Sequence, residues 1–236
     1  MKGGCLWGLF SVSAIAAYLR DSYCDWLPLA QSLADAGHQV LLFELGDPRM
    51  SKDEHKYDLD VRAAAQELTR RGATSILAGG EVPTAAGAVP AAPRIQGLAG
   101  LVLVTPVRNL GGYERSSIRD VKPVLESLTV PVLIAASDTP SVNGDPSSAD
   151  VARDLASAAA DPRLDLVSGS SLGVFLVKAD VGLRDRIVSF AGEVQAKPWY
   201  ERYMWLMTGG VLVLGLLGSL LVFRRRHNRE VPDDRG

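Results

Sequence analysis

The sequence predicts an α/β domain, with a mostly parallel sheet flanked by helices, followed by one C-terminal transmembrane helix. Short apolar runs typical of buried strands alternate with segments whose apolar residues recur at helical spacing. The chain has 236 residues, 47% of them hydrophobic, which is enough for one such domain and its core. An uncharged block of about 20 residues near the C-terminus is long enough to cross a bilayer.

The sequence pattern predicts two helices and two strands in the first half of the domain. Apolar residues recur at helical spacing between Asp25, which suits an N-cap, and Gly37, which suits a helix end. A second helical pattern begins near Asp58 and ends at Gly72, after two arginines that suit the last turn. The predicted strands are residues 39–45 and 74–78.

The second half continues the alternation, which is typical of right-handed βαβ units. An alanine- and proline-rich stretch, residues 83–93, comes first, and no element is assigned to it. Predicted strands follow at 98–104, 130–135 and 164–167, with helices around 151–159 and 183–194. The predicted boundaries are a domain at 1–195, an interfacial linker at 196–203, a transmembrane helix at 204–223 and a basic cytoplasmic tail at 224–236.

Residues 204–223 carry no charge and as a helix would extend roughly 30 Å, the hydrocarbon thickness of a bilayer. The alternative is a buried core helix, which is usually shorter and carries some polar residues. Aromatic rings precede the block and arginines follow it: Trp199, Tyr200, Tyr203 and Trp205, then Arg224, Arg225 and Arg226. The positive-inside rule then predicts a single-pass membrane protein with its tail in the cytoplasm and its domain outside. A composition rich in Ala, Gly and Arg fits a bacterium, so the membrane predicted is the bacterial inner membrane.

Small residues within the predicted span would let another membrane helix approach closely. They are Gly209, Gly210, Gly215, Gly218 and Ser219. The plain alternative is that glycine is common in membrane helices. The partners predicted are therefore the membrane and other integral membrane proteins.

The N-terminus has two competing interpretations. Residues 1–16 contain a lysine, an apolar run and an Ala-x-Ala pattern ending at Ala16, which are features of a cleaved signal peptide. Residues 4–12 also supply the only apolar run available for a strand before the Asp25 helix. We favour the strand, and the sequence leaves both uses open.

Composition excludes several classes of site. With 25 Lys and Arg against 27 Asp and Glu, the chain lacks the charge of a strong nucleic-acid binder. Its two cysteines, Cys5 and Cys24, could pair outside the cytoplasm or remain free, but they cannot build a four-thiolate zinc site. Neither metal-ligand spacing nor a G-x-G-x-x-G or P-loop pattern occurs, so no metal or cofactor is predicted.

Four phrases in order resemble the α/β-hydrolase superfamily. They are DWLPLA at 25–30, AGHQV at 36–40, LAGLVLVTP at 98–106 and VPVLI at 130–134. The resemblance covers roughly residues 25–190. Within the superfamily, the chain resembles uncharacterised, often exported bacterial hydrolase-like proteins. About twenty residues between Pro106 and Val130 leave no room for a separate lid domain, so a minimal hydrolase-like domain is expected.

The resemblance implies a Ser–Asp–His triad, and two of its three positions are changed. The G-x-S-x-G turn, which is strained in that family, reads GGEVP here, so Glu81 takes the nucleophile position and Pro83 that of the last glycine. The acid position falls on Asp138, with Asp145 as a second candidate and a turn or cap residue as the plain alternative. Leu172 takes the place of the catalytic histidine.

These changes predict a non-catalytic hydrolase-like domain that serves as a structural or binding subunit of a membrane complex. The alternative is a membrane-tethered serine esterase or lipase, with Asp138 as acid and Ser170 or Ser171 as a displaced nucleophile. A weaker option is a small-molecule module at the vestigial pocket near Glu81 and Leu172. Neither His38, expected at a helix–strand turn, nor His55 matches the position of the base.

Overall fold

A six-stranded parallel sheet forms the centre of the domain. The computed structural model describes residues 12–14, 23–43, 57–107, 109–110, 119–138 and 147–195. The sheet strands are β1 (Val12–Ala14), β2 (Gln39–Leu41), β3 (Ile76–Glu81), β4 (Leu98–Pro106), β7 (Pro131–Ser137) and β8 (Asp161–Val167). Their order across the sheet is β2-β1-β3-β4-β7-β8, and every pairing in it is parallel. Two short strands, β5 (Asn109–Leu110) and β6 (Arg119–Asp120), pair antiparallel apart from it.

Helices cover both faces of this sheet, which confirms the predicted fold class. They are α1 (Tyr23–Asp35), α2 (Tyr57–Arg70), α3 (Val82–Ala91), α4 (Lys122–Ser127), α5 (Ser148–Ala156), α6 (Val174–Ala179) and α7 (Val181–Gln195). One core joins α2, α3, α4 and α5 to the sheet, and the other joins α1, α6 and α7 to its opposite face. All described residues belong to one compact unit that ends at Gln195.

Alternation along the strands sends side chains to both cores. Leu101 and Leu103 of β4 belong to the first core, and Val102 and Val104 belong to the second. A strand that is buried on both sides reads as a continuous apolar run, which is why the sequence identified β4 so readily. Phe190 of α7 is 1% exposed and is among the largest side chains in the second core.

The predicted helix ends at Gly37 and Gly72 are confirmed. Both glycines have positive φ, 91° and 95°, as the left-handed turn after a helix requires. The backbone N–H of His38 then donates to the carbonyl of Leu33 over 3.0 Å. The N-cap assigned to Asp25 is wrong, because α1 begins at Tyr23 and Asp25 lies in its first turn. A carboxylate is still favoured there by the helix dipole.

The Ala/Pro stretch at 83–93 forms a helix that the sequence analysis did not assign. Pro83 falls in the first turn of α3, where a missing N–H costs nothing, and Pro90 comes next to its end. Ala85 and Ala88 are fully buried, and α3 approaches α2 so closely that a Cβ on Gly87 would lie 2.7 Å from the Cβ of Tyr57. Small residues therefore reflect close packing here and not an irregular segment.

Three predicted strands have shifted ends. Strand β2 stops at Leu41 rather than residue 45, and β8 begins at Asp161 rather than 164. Strand β3 runs over Ile76–Glu81 instead of 74–78, because Gly79 to Glu81 keep pairing with β4. Glu81 is thereby the last residue of a central strand.

The N-terminal strand lies where the sheet needs it but begins later than predicted. Val12 pairs with Gln39 on one side and Ile76 on the other, so β1 joins β2 to β3. Of the predicted strand at 4–12, only Val12 belongs to β1, and residues 1–11 lie outside the described part of the chain. Ala14 of the Ala-x-Ala pattern is within β1, and cleavage of residues 1–16 stays a prediction.

Among the helices of the described residues, none is long and apolar enough to cross a membrane. The predicted linker, transmembrane helix and tail at 196–236 lie outside the described residues. The same is true of every interface-anchor and helix-packing residue predicted there. The membrane span therefore stays a prediction from sequence.

Candidate functional site

The carboxyl edge of the sheet holds the candidate site. The chain goes outward from β1 to β2 and then returns across the sheet to β3, so the strand order reverses between β1 and β3. In open α/β sheets, ligands bind outside the carboxyl ends of the strands near such a reversal. Glu81 ends β3 at this edge, Thr105 lies near the end of β4, and Asp138 directly follows β7.

Glu81 is buried and is bonded within the fold. Only 6% of its surface is exposed. Its Oε2 accepts a short hydrogen bond from the backbone N–H of Val174, the first residue of α6. Because the first N–H groups of a helix have no partner within the helix, this carboxylate supplies one. The side chain in the nucleophile position thus fastens the loop that follows β8 to the sheet.

Gly173 makes this contact possible. Its φ of 56° and ψ of −136° belong to a region that side-chain-bearing residues almost never adopt. A Cβ built there would overlap Oε2 of Glu81. Glycine is therefore required both by the backbone conformation and by the space that the carboxylate occupies.

Thr105 completes the connection from the neighbouring strand. Its Oγ1 accepts a hydrogen bond from the N–H of Gly173 over 2.8 Å. Thr105 has φ of 46°, the one positive value among described non-glycine residues, and for a β-branched side chain this is a strained conformation. Strands β3 and β4 thus each contribute one acceptor to two consecutive N–H groups, and we call Glu81, Thr105, Gly173 and Val174 the polar latch.

The backbone strain of the hydrolase turn is not at Glu81. The resemblance implies a strained residue at the nucleophile position, but Glu81 has an extended conformation with φ of −112° and ψ of 155°. In the described residues of this edge, the strained non-glycine backbone is one strand away, at Thr105. Glu81 and the residues after it therefore form an ordinary strand-to-helix junction.

The environment of Glu81 shifts its pKa upward. Burial raises the pKa of Glu81, the hydrogen bond from Val174 lowers it, and the nearby charge of Asp25 raises it, with a net upward shift. Asp25 itself is paired with Lys178 of α6 over 2.7 Å. The site therefore favours an uncharged carboxyl more than water does.

Asp138 has a different environment. Its side chain is exposed, its Oδ2 accepts from the hydroxyl of Ser168 over 3.1 Å, and its Oδ1 accepts from the N–H of Gly169 over 3.2 Å. Its own N–H continues the sheet by donating to Val167. Asp138 therefore holds the beginning of the loop after β8, and the polar latch holds the end of the same loop.

The remaining loop positions show no base in the part of the chain that the structure describes. Leu172, in the histidine position, is 52% exposed, and Phe175 one turn later is 59% exposed. Ser170 is exposed and Ser171 is half-buried, whereas the serine that contacts Asp138 is Ser168. The serine that contacts Asp138 is thus neither Ser170 nor Ser171, the two predicted displaced nucleophiles.

The histidines do not complete the site. His38 precedes β2 at the opposite, amino edge of the sheet, at the helix–strand turn where we expected it. Burial lowers the pKa of His38, and a hydrogen bond with Gln195 raises it, with a net downward shift. His55, Asp145 and Cys5 lie outside the described residues, as does the side chain of Cys24. Within the described residues, no group of three His, Cys, Asp or Glu side chains could hold a metal ion.

Sequence reasoning found Glu81, Asp138 and Leu172 but missed Thr105 and the purpose of Gly173. The resemblance aligned the first three by position. Thr105 sits in an ordinary strand phrase, and nothing in its residue type signals a positive φ. The signal for Gly173 was present, since a glycine directly before a helix often marks an unusual backbone conformation.

Comparison with known proteins agrees with this fold. MenH from Staphylococcus aureus superposes with a TM-score of 0.62 over 78% of this chain and 94% of its own, at 14% identity. An α/β hydrolase, MGS-MChE2, from a sediment metagenome of the Mar Chica lagoon gives 0.59 over 78% and 91%, at 14% identity. The Pyrococcus furiosus esterase Pf2001 gives 0.59 over 78% and 83%, at 13% identity. The domain is thus similar in fold to α/β hydrolases.

Comparison by sequence adds no further assignment. No family model matches this chain, and no curated protein matches it.

Proposed function

We propose that this chain is a membrane-anchored protein whose α/β-hydrolase-like domain does not hydrolyse esters. It acts as a structural or binding subunit of a bacterial membrane complex. The observation that carries this proposal is the bond between Glu81 and Val174, because a carboxylate occupies the nucleophile position and is engaged within the fold. The fold is the part of this proposal that the similar structures support.

The chemistry of the site argues against ester hydrolysis. A serine hydroxyl attacks after a base removes its proton, and a histidine supplies that base in the hydrolase triad. Glu81 carries no alcohol hydroxyl, and Leu172 accepts no proton. A carboxylate could attack the ester carbonyl directly and expel the alcohol, but the resulting acid anhydride would then have to be hydrolysed by water, and Leu172 at the base position cannot activate that water.

The surroundings of Glu81 weaken it further as a nucleophile. Burial favours its neutral form, and its Oε2 already accepts a hydrogen bond from the N–H of Val174. Moving the carboxylate out to a substrate would leave that buried N–H without a partner, at a cost of about 1–3 kcal/mol. The arrangement stabilises the fold at the expense of a reactive group.

The membrane part of the proposal depends on sequence. The uncharged block at 204–223, the aromatic residues before it and the arginines after it support a single span with a cytoplasmic tail. Glycines and Ser219 along that span support packing against another membrane helix.

Labelling with a fluorophosphonate probe tests the loss of hydrolysis. The folded full-length chain in mild detergent should remain unlabelled under conditions that label an active serine esterase of the same fold. It should also leave short p-nitrophenyl esters unhydrolysed above the buffer rate. Labelling that disappears on Ser168→Ala, Ser170→Ala or Ser171→Ala would show a displaced nucleophile and overturn the proposal.

A second experiment tests the subunit role. The chain, tagged at its C-terminus and extracted in mild detergent, should migrate on a native gel with a reproducible set of membrane proteins. The double substitution Gly215→Leu and Ser219→Leu should release these membrane proteins. Leu217→Phe, on the opposite side of the same predicted helix, should not release them. A chain that migrates without any other protein at every detergent concentration would contradict the subunit role.

A further inference from the structure

The free edge of β8 carries a self-complementary sequence. Among the described strands β8 is terminal in the sheet, with β7 on one side only. Residues 161–164 are exposed, and Leu164 at 40% is one of the exposed large apolar side chains. An exposed strand edge can pair with another strand, and natural proteins usually blunt it.

The hydrogen bonds to β7 show which groups face outward. The carbonyl of Val167 accepts from the N–H of Asp138 at the end of β7. Because successive residues of a strand direct their backbone groups to opposite sides, the odd-numbered residues of β8 face β7. Leu164 and Leu166 therefore direct their N–H and C=O groups to the free edge. Pro162 falls on the same side, where its missing N–H breaks no bond to β7.

We propose that this edge pairs antiparallel with β8 of a second copy of the chain, about a two-fold axis at Leu164. In this register Leu164 exchanges both backbone hydrogen bonds with Leu164 of the second copy. The N–H of Leu166 then donates to the carbonyl of Pro162 across the interface. The surface is separate from the candidate site and does not depend on the loss of hydrolysis.

Charge favours this register over its nearest alternatives. Arg163 faces Asp165 of the second copy on the side of the sheet where α7 lies, as a closely spaced pair of opposite charge. A slip by two residues in one direction would place Arg163 opposite Arg163. A slip by two in the other direction would place Asp165 opposite Asp165. Cross-strand pairs of like charge are unfavourable, so the register centred on Leu164 is favoured over a slip by two residues in either direction.

Contacts within the chain hold these side chains on that side. Arg163 pairs with Glu193 over 2.6 Å and lies 5.1 Å from the ring centre of Phe190, and Arg186 pairs with Asp165. Both partners belong to α7, so the charges are already oriented before a second copy arrives. Pro162 limits the ladder to its centre, because the carbonyl of Leu166 across from it receives no N–H.

Disulfide trapping tests the register in the full-length chain. In a background of Cys5→Ser and Cys24→Ser, Leu164→Cys places two thiols on directly opposite residues, with Cα atoms about 5.5 Å apart. We expect a cross-linked dimer under mild oxidation. The matched control is Asp161→Cys on the same exposed edge, whose two copies would be separated by roughly 20 Å along the ladder and should not cross-link.

Two measurements on the unmodified chain keep the test independent of the variants. Native mass spectrometry in mild detergent should show dimers whose fraction rises with protein concentration. Hydrogen exchange should show the amides of Leu164 and Leu166 at least tenfold slower in the dimer than in the diluted monomer. A chain that stays monomeric, equal cross-linking of both cysteine variants, or a dimer with unchanged exchange at both leucines would each overturn the proposal.

Discussion

Glu81 at the end of β3 and Asp138 after β7 are two carboxylates on the same sheet edge, but water reaches only one of them. Asp138 is exposed and accepts from Ser168 and Gly169 at ordinary distances. Glu81 is 6% exposed and is bonded inside the polar latch. A charge costs little in water and much in the interior, so the buried carboxylate needs its backbone donor, whereas the exposed one is replaceable.

Gly173→Ala should have the largest effect on the latch. The added Cβ would overlap Oε2 of Glu81 and force an unfavourable backbone conformation, which together should lower the free energy of unfolding by about 4 kcal/mol. Urea denaturation of the full chain in mild detergent measures it. Gly72→Ala is the control, because Gly72 also has positive φ but has open space around its Cβ position. Equal losses for the two variants would mean that the latch contributes nothing.

Removing the buried carboxylate should come next. Glu81→Ala leaves the N–H of Val174 buried and without its acceptor and opens a space beside Gly173, so the free energy of unfolding should fall by about 3 kcal/mol. Glu81→Gln keeps a carbonyl oxygen in the same place and should cost less than half as much. A Glu81→Ala protein as stable as the unmodified chain would show that the bond is incidental.

The fold could be predicted from sequence where apolar periodicity was strong, and less well where packing depends on small residues. Strands β4 and β7 are continuous apolar runs, and their prediction was nearly complete. Helix α3 was missed because alanines and prolines have no amphipathic pattern, although Ala85, Ala88 and Ala91 are buried. Buried small residues signal close packing only after the neighbouring elements are known.

The positions of the candidate site residues could be predicted from sequence, but their contacts could not. Alignment with the hydrolase phrases assigned Glu81, Asp138 and Leu172 to the triad positions, and in the structure Glu81 ends β3 and Asp138 follows β7. That Glu81 bonds the first N–H of α6 depends on where a loop returns 93 residues later, which no local pattern encodes. Likewise, the positive φ of Thr105 results from tertiary constraint.

Thr105→Val tests the second acceptor of the latch. Valine is close in shape but has no hydroxyl, so the buried N–H of Gly173 loses its partner and the free energy of unfolding should fall by about 2 kcal/mol. Thr105→Ser retains Oγ and should remain within about 1 kcal/mol of the unmodified chain. If serine destabilises as much as valine, packing of the methyl group and not the hydrogen bond explains the effect.

The pH dependence of stability should report the raised pKa of Glu81. Since the pKa of Glu81 is raised in the folded state, that state holds its proton to higher pH than the unfolded chain. The free energy of unfolding should therefore fall as pH rises from the ordinary glutamate range through the raised pKa of Glu81. Glu81→Gln should lack this fall, and curves of stability against pH for the two proteins, measured in parallel, should diverge from pH 4 upward. Parallel curves would contradict a raised pKa.

Asp138→Asn should have the smallest effect and so defines the other side of the comparison. The amide keeps an oxygen for one of the two donors, and water can replace the other bond because the side chain is exposed. The free energy of unfolding should change by less than about 1 kcal/mol, as for an ordinary surface site. Thermal unfolding with Asp138→Ala as the harsher variant measures it. A loss as large as that of Glu81→Ala would mean that the exposed carboxylate also supports the fold, and that burial alone does not separate the two ends of the edge.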